Sequence, residues 1–266
     1  MRPLTIRTIF LVAIFLAPSV NAQSTPTNSS TPTVQAQRGA LSPEELAKRR
    51  QAEQERMATD WAYLAKYRDE NAALAPAKPD ELRVVFFGDS ITQFWGTRGK
   101  PFFPGKSYVN RGISGQTTPQ MLIRFRQDVI DLHPLVVLIL AGVNDIAENT
   151  GPATLESIED NLASMADLAR AHRIRVVLCS VLPAADFPWH HGLDPASKVA
   201  ALNSWIKDYT AKNNFTYLDY YSAMVDARGA LRDDLGVDGV HPNQAGYDVM
   251  TPLAESAIAA SLKSRP

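Results

Sequence analysis

Cysteine is almost absent from this chain of 266 residues, because Cys179 is the single one. A disulfide within the chain is therefore impossible, whatever the redox state of its compartment. Cys179 closes the apolar run 176–179, where we expect a buried, unreactive thiol rather than a nucleophile. Stability must come from an apolar core, and a hydrophobic content of 45% is sufficient for one.

Excess charge is lacking too, since the formal net charge is −1 and no basic block stands out in the body of the chain. We therefore expect no nucleic-acid partner and no electrostatic attachment to a membrane. Metal-binding patterns are also missing: there is no His-Glu-x-x-His and no cysteine–histidine cluster with zinc spacing. His190, His191 and Asp194 could bind a metal, but a polar surface loop is the favoured interpretation. No metal or other cofactor is expected.

The first residues are hydrophobic, but they lack an apolar run long enough to span a membrane. Arg2 and Arg7 flank the start of the apolar run 9–20, and the small residue Ala22 follows it. This pattern predicts a secretory signal peptide over 1–22, cleaved after Ala22, and hence an exported protein. The run is shorter than the ~20 residues of a membrane-spanning helix, which makes an uncleaved anchor the weaker alternative. No cysteine lies near the cleavage site, which argues against a lipoprotein anchor.

Residues 23–41 are rich in Ser, Thr, Pro, Gln and Asn, and this composition predicts a disordered linker. At Ser42 the pattern changes to a capping box followed by a charged segment, which predicts an N-terminal helical extension over 42–76. We expect one helix to about Ala75. Its second half carries Met57, Trp61 and Leu64 on one face, which is predicted to pack against the domain.

From residue 77 to 266, short apolar runs typical of strands alternate with amphipathic segments typical of helices. A cap followed by proline at Thr117-Thr118-Pro119 and a cap at Asn243 predict two helix starts. Pro252 is predicted to kink or end the last helix. The alternation predicts an α/β fold, a three-layer α/β/α sandwich around a central, mainly parallel sheet. The predicted strands are 83–88, 108–110, 135–140, 175–181 and 216–218.

The first predicted strand, apolar over 84–87, runs directly into Gly88-Asp89-Ser90. Ligands of open parallel sheets bind at the carboxyl ends of the strands, so Ser90 stands where a reactive hydroxyl would be held. The alternative is a turn in which Ser90 only caps a helix. The Gly-x-Ser-x-Gly elbow of the α/β-hydrolases is absent, because Thr92 occupies its last position.

A base for Ser90 is offered by Asp238-Gly239-Val240-His241, in the loop before the last helix. Serine catalysis needs a base near the hydroxyl and an acceptor that fixes the tautomer of that base. An aspartate three residues before a histidine can supply both groups from one loop. His133 and His172 lie at predicted helix ends, where a capping role is the better interpretation.

Two glycine-containing loops, 112–115 and 142–145, follow the second and third predicted strands. Acyl transfer needs donors aimed at the developing oxyanion, which a backbone N–H at glycine and an asparagine amide would supply. Each loop alone is also explained as a tight turn that requires glycine. Polar groups at the ends of successive strands of one sheet, taken together, favour an active site.

These motifs resemble, in the same order, the signatures of the SGNH, or GDSL, hydrolase superfamily. Ile91 stands where the GDSL signature has leucine. The resemblance covers about 82–260 and leaves the leader, linker and N-terminal helix outside. The signatures occupy residues 87–91, 110–115, 142–145 and 238–242.

The resemblance implies an SGNH-hydrolase, flavodoxin-like fold and a serine esterase that needs no cofactor. Position by position, it implies Ser90 as the nucleophile, His241 as the general base and Asp238 as its orienting partner. It also implies an oxyanion hole made of the Ser90 backbone N–H, the Gly115 backbone N–H and the Asn144 side chain.

The loop after the fourth strand carries Phe187 and Trp189, which are predicted to line the substrate site, with packing of the loop as the equal alternative. We expect a secreted esterase for short-chain or carbohydrate acetyl esters, since export argues against acyl-CoA substrates. Lysophospholipase, thioesterase, and transfer of acyl groups to envelope sugars stay open as alternatives. A non-catalytic binding protein is the alternative of a different class.

Overall fold

The computed structural model describes residues 42–78, 80–97 and 99–263. Contacts divide the chain into two units, Met1–Gln51 and Ala52–Pro266, so that the boundary falls inside the first helix. The predicted signal peptide and linker lie outside the described residues.

Five parallel strands form one sheet in the order β2-β1-β3-β4-β5. This confirms the predicted α/β fold with a parallel sheet. The first, third and fourth strands are one or two residues shorter than predicted, the second is two residues longer, and the fifth has the predicted bounds. The strands are β1 Val84–Gly88, β2 Tyr108–Gly112, β3 Val136–Leu140, β4 Arg175–Cys179 and β5 Thr216–Leu218. The helices are α1 Pro43–Thr59, α2 Arg68–Ala73, α3 Ser90–Gln93, α4 Thr118–Asp128, α5 Val143–Ile146, α6 Leu155–Ala171, α7 Pro195–Asn213, α8 Tyr221–Met224 and α9 Gln244–Lys263.

Strand β1 contacts helices on both faces of the sheet. Its successive side chains point to opposite faces, so that Phe86 and Phe87 meet different layers. Phe87 packs on Phe125 of α4, with ring centroids 5.3 Å apart. Phe86 packs on Trp95 at 5.6 Å, and Trp95 packs on Tyr247 of α9 at 5.3 Å. All five residues of β1 are buried, as its continuous apolar run predicts. The sandwich has three layers.

The two predicted caps are confirmed. Thr117 precedes α4 and its N–H donates to the side chain of Gln120 at 3.0 Å, which forms a capping box. Asn243 caps α9, since its Oδ1 accepts from the N–H of Gly246 at 3.0 Å. Of the two predicted effects of Pro252, the helix end is excluded, because α9 continues to Lys263, and the kink stays a prediction. A proline removes one helical hydrogen bond, here to a carbonyl of the exposed residue Asp248, which water can satisfy.

The prediction of one continuous N-terminal helix is also wrong, because α1 ends at Thr59 and α2 begins at Arg68. The side chain of Asp60 accepts hydrogen bonds from the N–H groups of Leu64, at 2.7 Å, and Ala65, at 2.9 Å. Short acidic side chains that bond nearby backbone groups compete with the helix in this way. The capping box that starts α1, between Ser42 and Glu45, is as predicted.

Residues 60–73 are fixed to α4 mainly by side-chain amides. Gln120 Nε2 donates to the carbonyl of Trp61 at 2.7 Å, and Gln127 Nε2 donates to that of Leu64 at 2.8 Å. Leu64 is half-buried, but Trp61 is exposed. Of the predicted apolar face, Met57 and Leu64 are thus partly buried and Trp61 is not.

A fully buried guanidinium joins the ends of β1 and β2. Arg124 Nη2 donates to the carbonyl of Gly88 at 2.9 Å, and Nη1 donates to that of Arg111 at 2.9 Å. The buried carboxylate of Asp128 balances the charge at 3.0 Å. The ring of Phe87 lies 4.1 Å below the guanidinium carbon. The loop after β1, which carries Ser90, and the loop after β2, which carries Gly115, therefore start from strand ends that one side chain holds together.

Between β1 and Ser90 stands Asp89, whose carboxyl group is fully buried. Its Oδ1 accepts from the N–H of Ile91 at 2.9 Å, and its Oδ2 has no partner among the described residues. Burial, with a smaller contribution from the charge of Asp145, raises the pKa of Asp89 to about 7. The folded chain therefore favours the neutral carboxyl group at this position.

We predict that Asp89 makes the folded state less stable as the pH rises from about 4 to about 7. In this range the folded state holds a proton that the unfolded state has lost, so the free energy of unfolding falls with pH. Asp89→Asn keeps the acceptor for Ile91 and removes the titrating group, which should flatten that fall. Denaturant unfolding at several pH values measures it.

Asp131→Asn is the matched control, because Asp131 is an exposed carboxylate and the same atoms change. It should retain the pH slope of the wild type. Parallel slopes for wild type and Asp89→Asn would contradict a neutral Asp89 in the folded chain.

Candidate active site

Three side chains predicted from the sequence lie in one hydrogen-bonded row. Ser90 Oγ is 2.9 Å from His241 Nε2, and His241 Nδ1 is 2.7 Å from Asp238 Oδ2. Ser90 is the first residue of α3, directly after β1, whereas His241 and Asp238 belong to the loop before α9. A serine hydroxyl, an imidazole and a carboxylate in this order can generate a nucleophile.

The loop before α9 is shaped by Asp238 itself. Its Oδ1 accepts from the backbone N–H groups of His241, at 2.8 Å, and Val240, at 3.1 Å. Gly239 has a φ of +81°, a backbone conformation that side chains disfavour. Burial acts to raise the pKa of Asp238, but the hydrogen bonds from His241 prevail and lower it below its ordinary value. The carboxylate therefore stays charged and keeps the proton of His241 on Nδ1, which leaves Nε2 to accept from Ser90.

Asn144 lies in α5, after β3, and is 2% exposed. Its Nδ2 donates to the carbonyl of Gln116 at 3.0 Å, and its Oδ1 accepts from Asn149 Nδ2 at 2.8 Å. Among the described residues, the second N–H of this amide has no acceptor. Gly115, after β2, has a φ of +78° and lines the same pocket. Gly115 and Asn144, from two different loops, therefore line the same pocket as Ser90.

The sheet order explains why these loops meet. Strand β1 lies between β2 and β3, so that the loops after all three strands start side by side at the carboxyl edge. The chain passes from β1 to β2 on one side and then to β3 on the other, so the strand order reverses at β1. Open α/β sheets bind ligands at such a reversal. The loops form a shallow pocket of about 200 Å³. It is lined by Ser90, Ser114, Gly115, Asn144, Asn149, Trp189 and His241.

Of the two aromatic residues predicted to line the substrate site, only Trp189 lines the pocket at Ser90. Trp189 is 40% exposed, and its ring centroid lies 6.0 Å from that of His241. Phe187 is fully buried and packs 5.3 Å from Trp189, so its predicted contact with substrate is corrected to support of the tryptophan from inside. Phe187 and Trp189 stand two residues apart in one loop, and nothing in the sequence distinguishes the buried ring from the exposed one.

Sequence reasoning missed two residues near the row, Asn149, which lines the pocket, and Phe94, which packs beside His241. Asn149 follows Glu148 in an exposed turn, and asparagine in such a turn indicates only a turn. Phe94, whose ring lies 5.9 Å from that of His241, belongs to no motif beyond its position four residues after Ser90.

The remaining candidate groups do not converge. His190 Nδ1 bonds the carbonyl of Ala147 at 2.9 Å, and His191 pairs with Asp186. Within the described ranges, no group of three His, Cys, Asp or Glu side chains could hold a metal ion. Cys179 is buried, and burial raises the pKa of its thiol. None of the helices described here is long and apolar enough to cross a membrane.

A larger cavity, of about 540 Å³, lies between residues 95–106 and α9. It contains none of the side chains predicted to react. Its charged groups are already paired, Lys100 with Asp248 at 2.9 Å and Lys106 with Glu255 at 3.5 Å. Size alone therefore does not identify the active site.

Comparison with known proteins agrees with this geometry. A curated relative is the human isoamyl acetate-hydrolyzing esterase 1 homolog, 28% identical over 206 residues, which are 66% of this chain and 82% of that protein. An uncharacterized lipoprotein of Bacillus subtilis, YqeF, is 32% identical over 127 residues, or 41% of this chain, and the match spans about half of that protein (52%).

A solved structure, a GDSL-like lipase from Bacteroides thetaiotaomicron, is 46% identical, with a TM-score of 0.74. That match covers 76% of this chain and 100% of the other. The family model of the GDSL-like lipases and acylhydrolases matches residues 86–249, which include every residue of the hydrogen-bonded row. The chain therefore belongs to the GDSL-like lipase/acylhydrolase family of the SGNH superfamily and is a carboxylic ester hydrolase of that type.

Proposed function

We propose that this protein is an exported serine esterase that cleaves small-acyl esters through an acyl-enzyme on Ser90. The row of Ser90, His241 and Asp238, with both hydrogen bonds within 2.9 Å, carries the proposal. Its position beside the amide of Asn144 and the backbone of Gly115 supports acyl transfer in particular.

The first step forms an ester on the enzyme. Ser90 Oγ attacks the carbonyl carbon of the substrate while His241 Nε2 takes its proton, and the resulting imidazolium is stabilised by Asp238. The negative charge on the substrate oxygen is met by the N–H of Ser90, the N–H of Gly115 and Asn144 Nδ2. His241 then gives its proton to the leaving alcohol.

The second step is hydrolysis of that ester. Water replaces the alcohol, loses a proton to His241 and attacks the acyl carbon, so that the acid and the free Ser90 hydroxyl are released. The exposed edge of the pocket, where Ser114 and Asn149 are exposed, gives water access.

The dimensions of the site favour a small acyl group. The pocket at Ser90 measures about 200 Å³, less than the ~300–1,000 Å³ of pockets for drug-sized ligands. The human relative carries in its name the hydrolysis of isoamyl acetate, an ester with a two-carbon acyl group. The flat ring of Trp189 and the polar side chain of Asn149 suit an alcohol part that is a sugar, which makes carbohydrate acetyl esters the preferred class.

Export is the second part of the proposal. It is supported by the apolar run 9–20 with its basic flank, and by the relative from Bacillus subtilis named as a lipoprotein. Mass spectrometry of the mature chain from the periplasm or medium would find an N-terminus at Gln23. A mature chain that still begins at Met1 would contradict cleavage after Ala22.

We predict that Ser90→Ala abolishes nearly all turnover of p-nitrophenyl esters, because it removes the hydroxyl that is hydrogen-bonded to His241 Nε2. Wild type should be fastest on acetate or butyrate and slow on palmitate. Ser204→Ala, the same substitution at an exposed position of α7, should equal the wild type. Activity that survives Ser90→Ala would refute the acyl-enzyme.

The length series also tests the alternatives. A maximum at long chains would transfer the assignment to a lysophospholipase or thioesterase. An acyl group recovered on an added sugar, rather than as the free acid, would indicate a transferase. If folded wild type cleaves none of the esters and a serine-directed phosphonate fails to label Ser90, the protein is a binding protein.

We predict that Asn144→Ala lowers kcat by about 10²–10³-fold with a smaller change of KM, because its amide is used chiefly in the transition state. Steady-state kinetics on p-nitrophenyl acetate measures both constants. Asn213→Ala, at the opposite end of the domain on α7, is the matched control. An unchanged kcat in Asn144→Ala would remove this amide from the oxyanion hole.

A further inference from the structure

One side chain, Asn149, touches three of the groups that line the pocket. Its Oδ1 accepts from Trp189 Nε1 at 2.9 Å. Its Nδ2 donates to Asn144 Oδ1 at 2.8 Å and to the carbonyl of Gly115 at 3.3 Å. No motif of the sequence singles it out, and the mechanism above gives it no step.

The direction of these hydrogen bonds is fixed by chemistry at both ends. An indole N–H can only donate, so Trp189 must face the oxygen of Asn149. The NH₂ group of Asn149 therefore faces Asn144, which must present its own oxygen. At the far end, backbone carbonyls can only accept, and that of Gln116 receives the NH₂ group of Asn144 at 3.0 Å. Each amide in the row has one allowed orientation.

Without this row, Asn144 would be free to turn its amide by half a rotation. Oxygen and NH₂ have nearly the same shape, so packing alone does not distinguish the two orientations. The reversed one would aim a carbonyl oxygen at the developing oxyanion and repel it. Asn149, together with the carbonyl of Gln116, selects the orientation that donates.

We propose that Asn149 is a positioning residue of the esterase, and that together with Trp189 it sets which end of the Asn144 amide faces the substrate. This inference rests on the proposed function of Asn144 as an oxyanion donor. Oxyanion hole and aromatic wall are then parts of one hydrogen-bonded unit.

The backbone of the turn that follows α5 holds Asn149 close to Asn144. Glu148 has a φ of +57°, which turns the chain back after α5. The N–H of Asn149 then donates to the carbonyl of Asn144 at 3.0 Å. Two hydrogen bonds, one from the backbone and one from the side chain, therefore join the same two residues.

The coupling has a consequence for specificity. Trp189 rests on the buried ring of Phe187, at 5.3 Å, and lies at the mouth of the pocket. A substrate that displaces Trp189 removes the donor that orients Asn149, and so loosens Asn144. For a substrate that fits poorly, the enzyme is thus expected to have a lower kcat, in addition to any weaker binding.

A double-mutant cycle on kcat for p-nitrophenyl acetate tests the proposal. Asn149→Ala should lower kcat by roughly 10- to 100-fold, less than loss of the donor itself. In an Asn144→Ala background the same substitution should cost less than about twofold, because there is no amide left to orient. A role in folding alone would lower the melting temperature and leave kcat of the folded enzyme unchanged.

Two further variants test the polarity. The aspartate in Asn149→Asp has the size of asparagine and keeps the acceptor for Trp189, but it presents an oxygen to Asn144. The kcat of Asn149→Asp should therefore fall further below the wild-type value than that of Asn149→Ala. If Asn149 only fills space, the aspartate will be the better enzyme of the two. Trp189→Phe keeps an aromatic wall without the donor, and should lower kcat less than Asn149→Ala does.

The outcomes separate the two levels of inference. If Asn144→Ala is impaired while Asn149→Ala equals the wild type, or if the losses multiply in the double variant, the positioning role is wrong and the esterase stands. If neither Ser90→Ala nor Asn144→Ala affects turnover, the proposed function itself fails. Asn213→Ala should match the wild type throughout and controls for the loss of an amide elsewhere.

Discussion

The buried guanidinium of Arg124 is the interaction on which the site depends most. Burial lowers its pKa to about 10, with opposing effects from Asp128, so that it remains protonated at neutral pH inside the protein. A buried charge is costly unless its donors are satisfied, and here the carbonyls at the ends of β1 and β2 satisfy them. The two strand ends that start the Ser90 and Gly115 loops are thereby held at a fixed separation.

From this guanidinium, hydrogen bonds continue outward to the substrate pocket. Arg124 Nε donates to the side chain of Gln116, whose backbone carbonyl holds Asn144. The Nε2 of Gln116 also donates to the carbonyl of Ala62 at 2.7 Å, in a segment that precedes the region matched by the family model. The helical extension is therefore bonded to the loop that contacts Asn144, the proposed oxyanion donor. Contacts from outside the region matched by the family model therefore reach the loop that holds Asn144.

The polar groups of the site differ in how much freedom they keep. Asp238 receives two backbone N–H groups and is locked by its own loop, within three residues of His241. Asn144 depends instead on Asn149 in the turn after its own helix, and on Gln116 and, through Asn149, Trp189, which come from two other loops. The proposed base, His241, is thus positioned by its own loop, whereas the proposed oxyanion donor, Asn144, is positioned by contacts that only the folded domain brings together.

The sequence by itself determined the parallel α/β fold, the strand cores, the helix caps at Thr117 and Asn243, and the row of Ser90, His241 and Asp238. Those features depend on short-range patterns, or on motifs whose loops must start at one edge of a parallel sheet. Only the tertiary structure decided that the N-terminal helix breaks at Asp60, that α9 continues through Pro252, that Phe187 is buried beneath Trp189, and that Asn149 joins Trp189 to Asn144. The reason is physical: an amide 40 residues from its indole partner has no local signature, because hydrogen-bond partners far apart in the chain meet only once the sheet has brought their loops together.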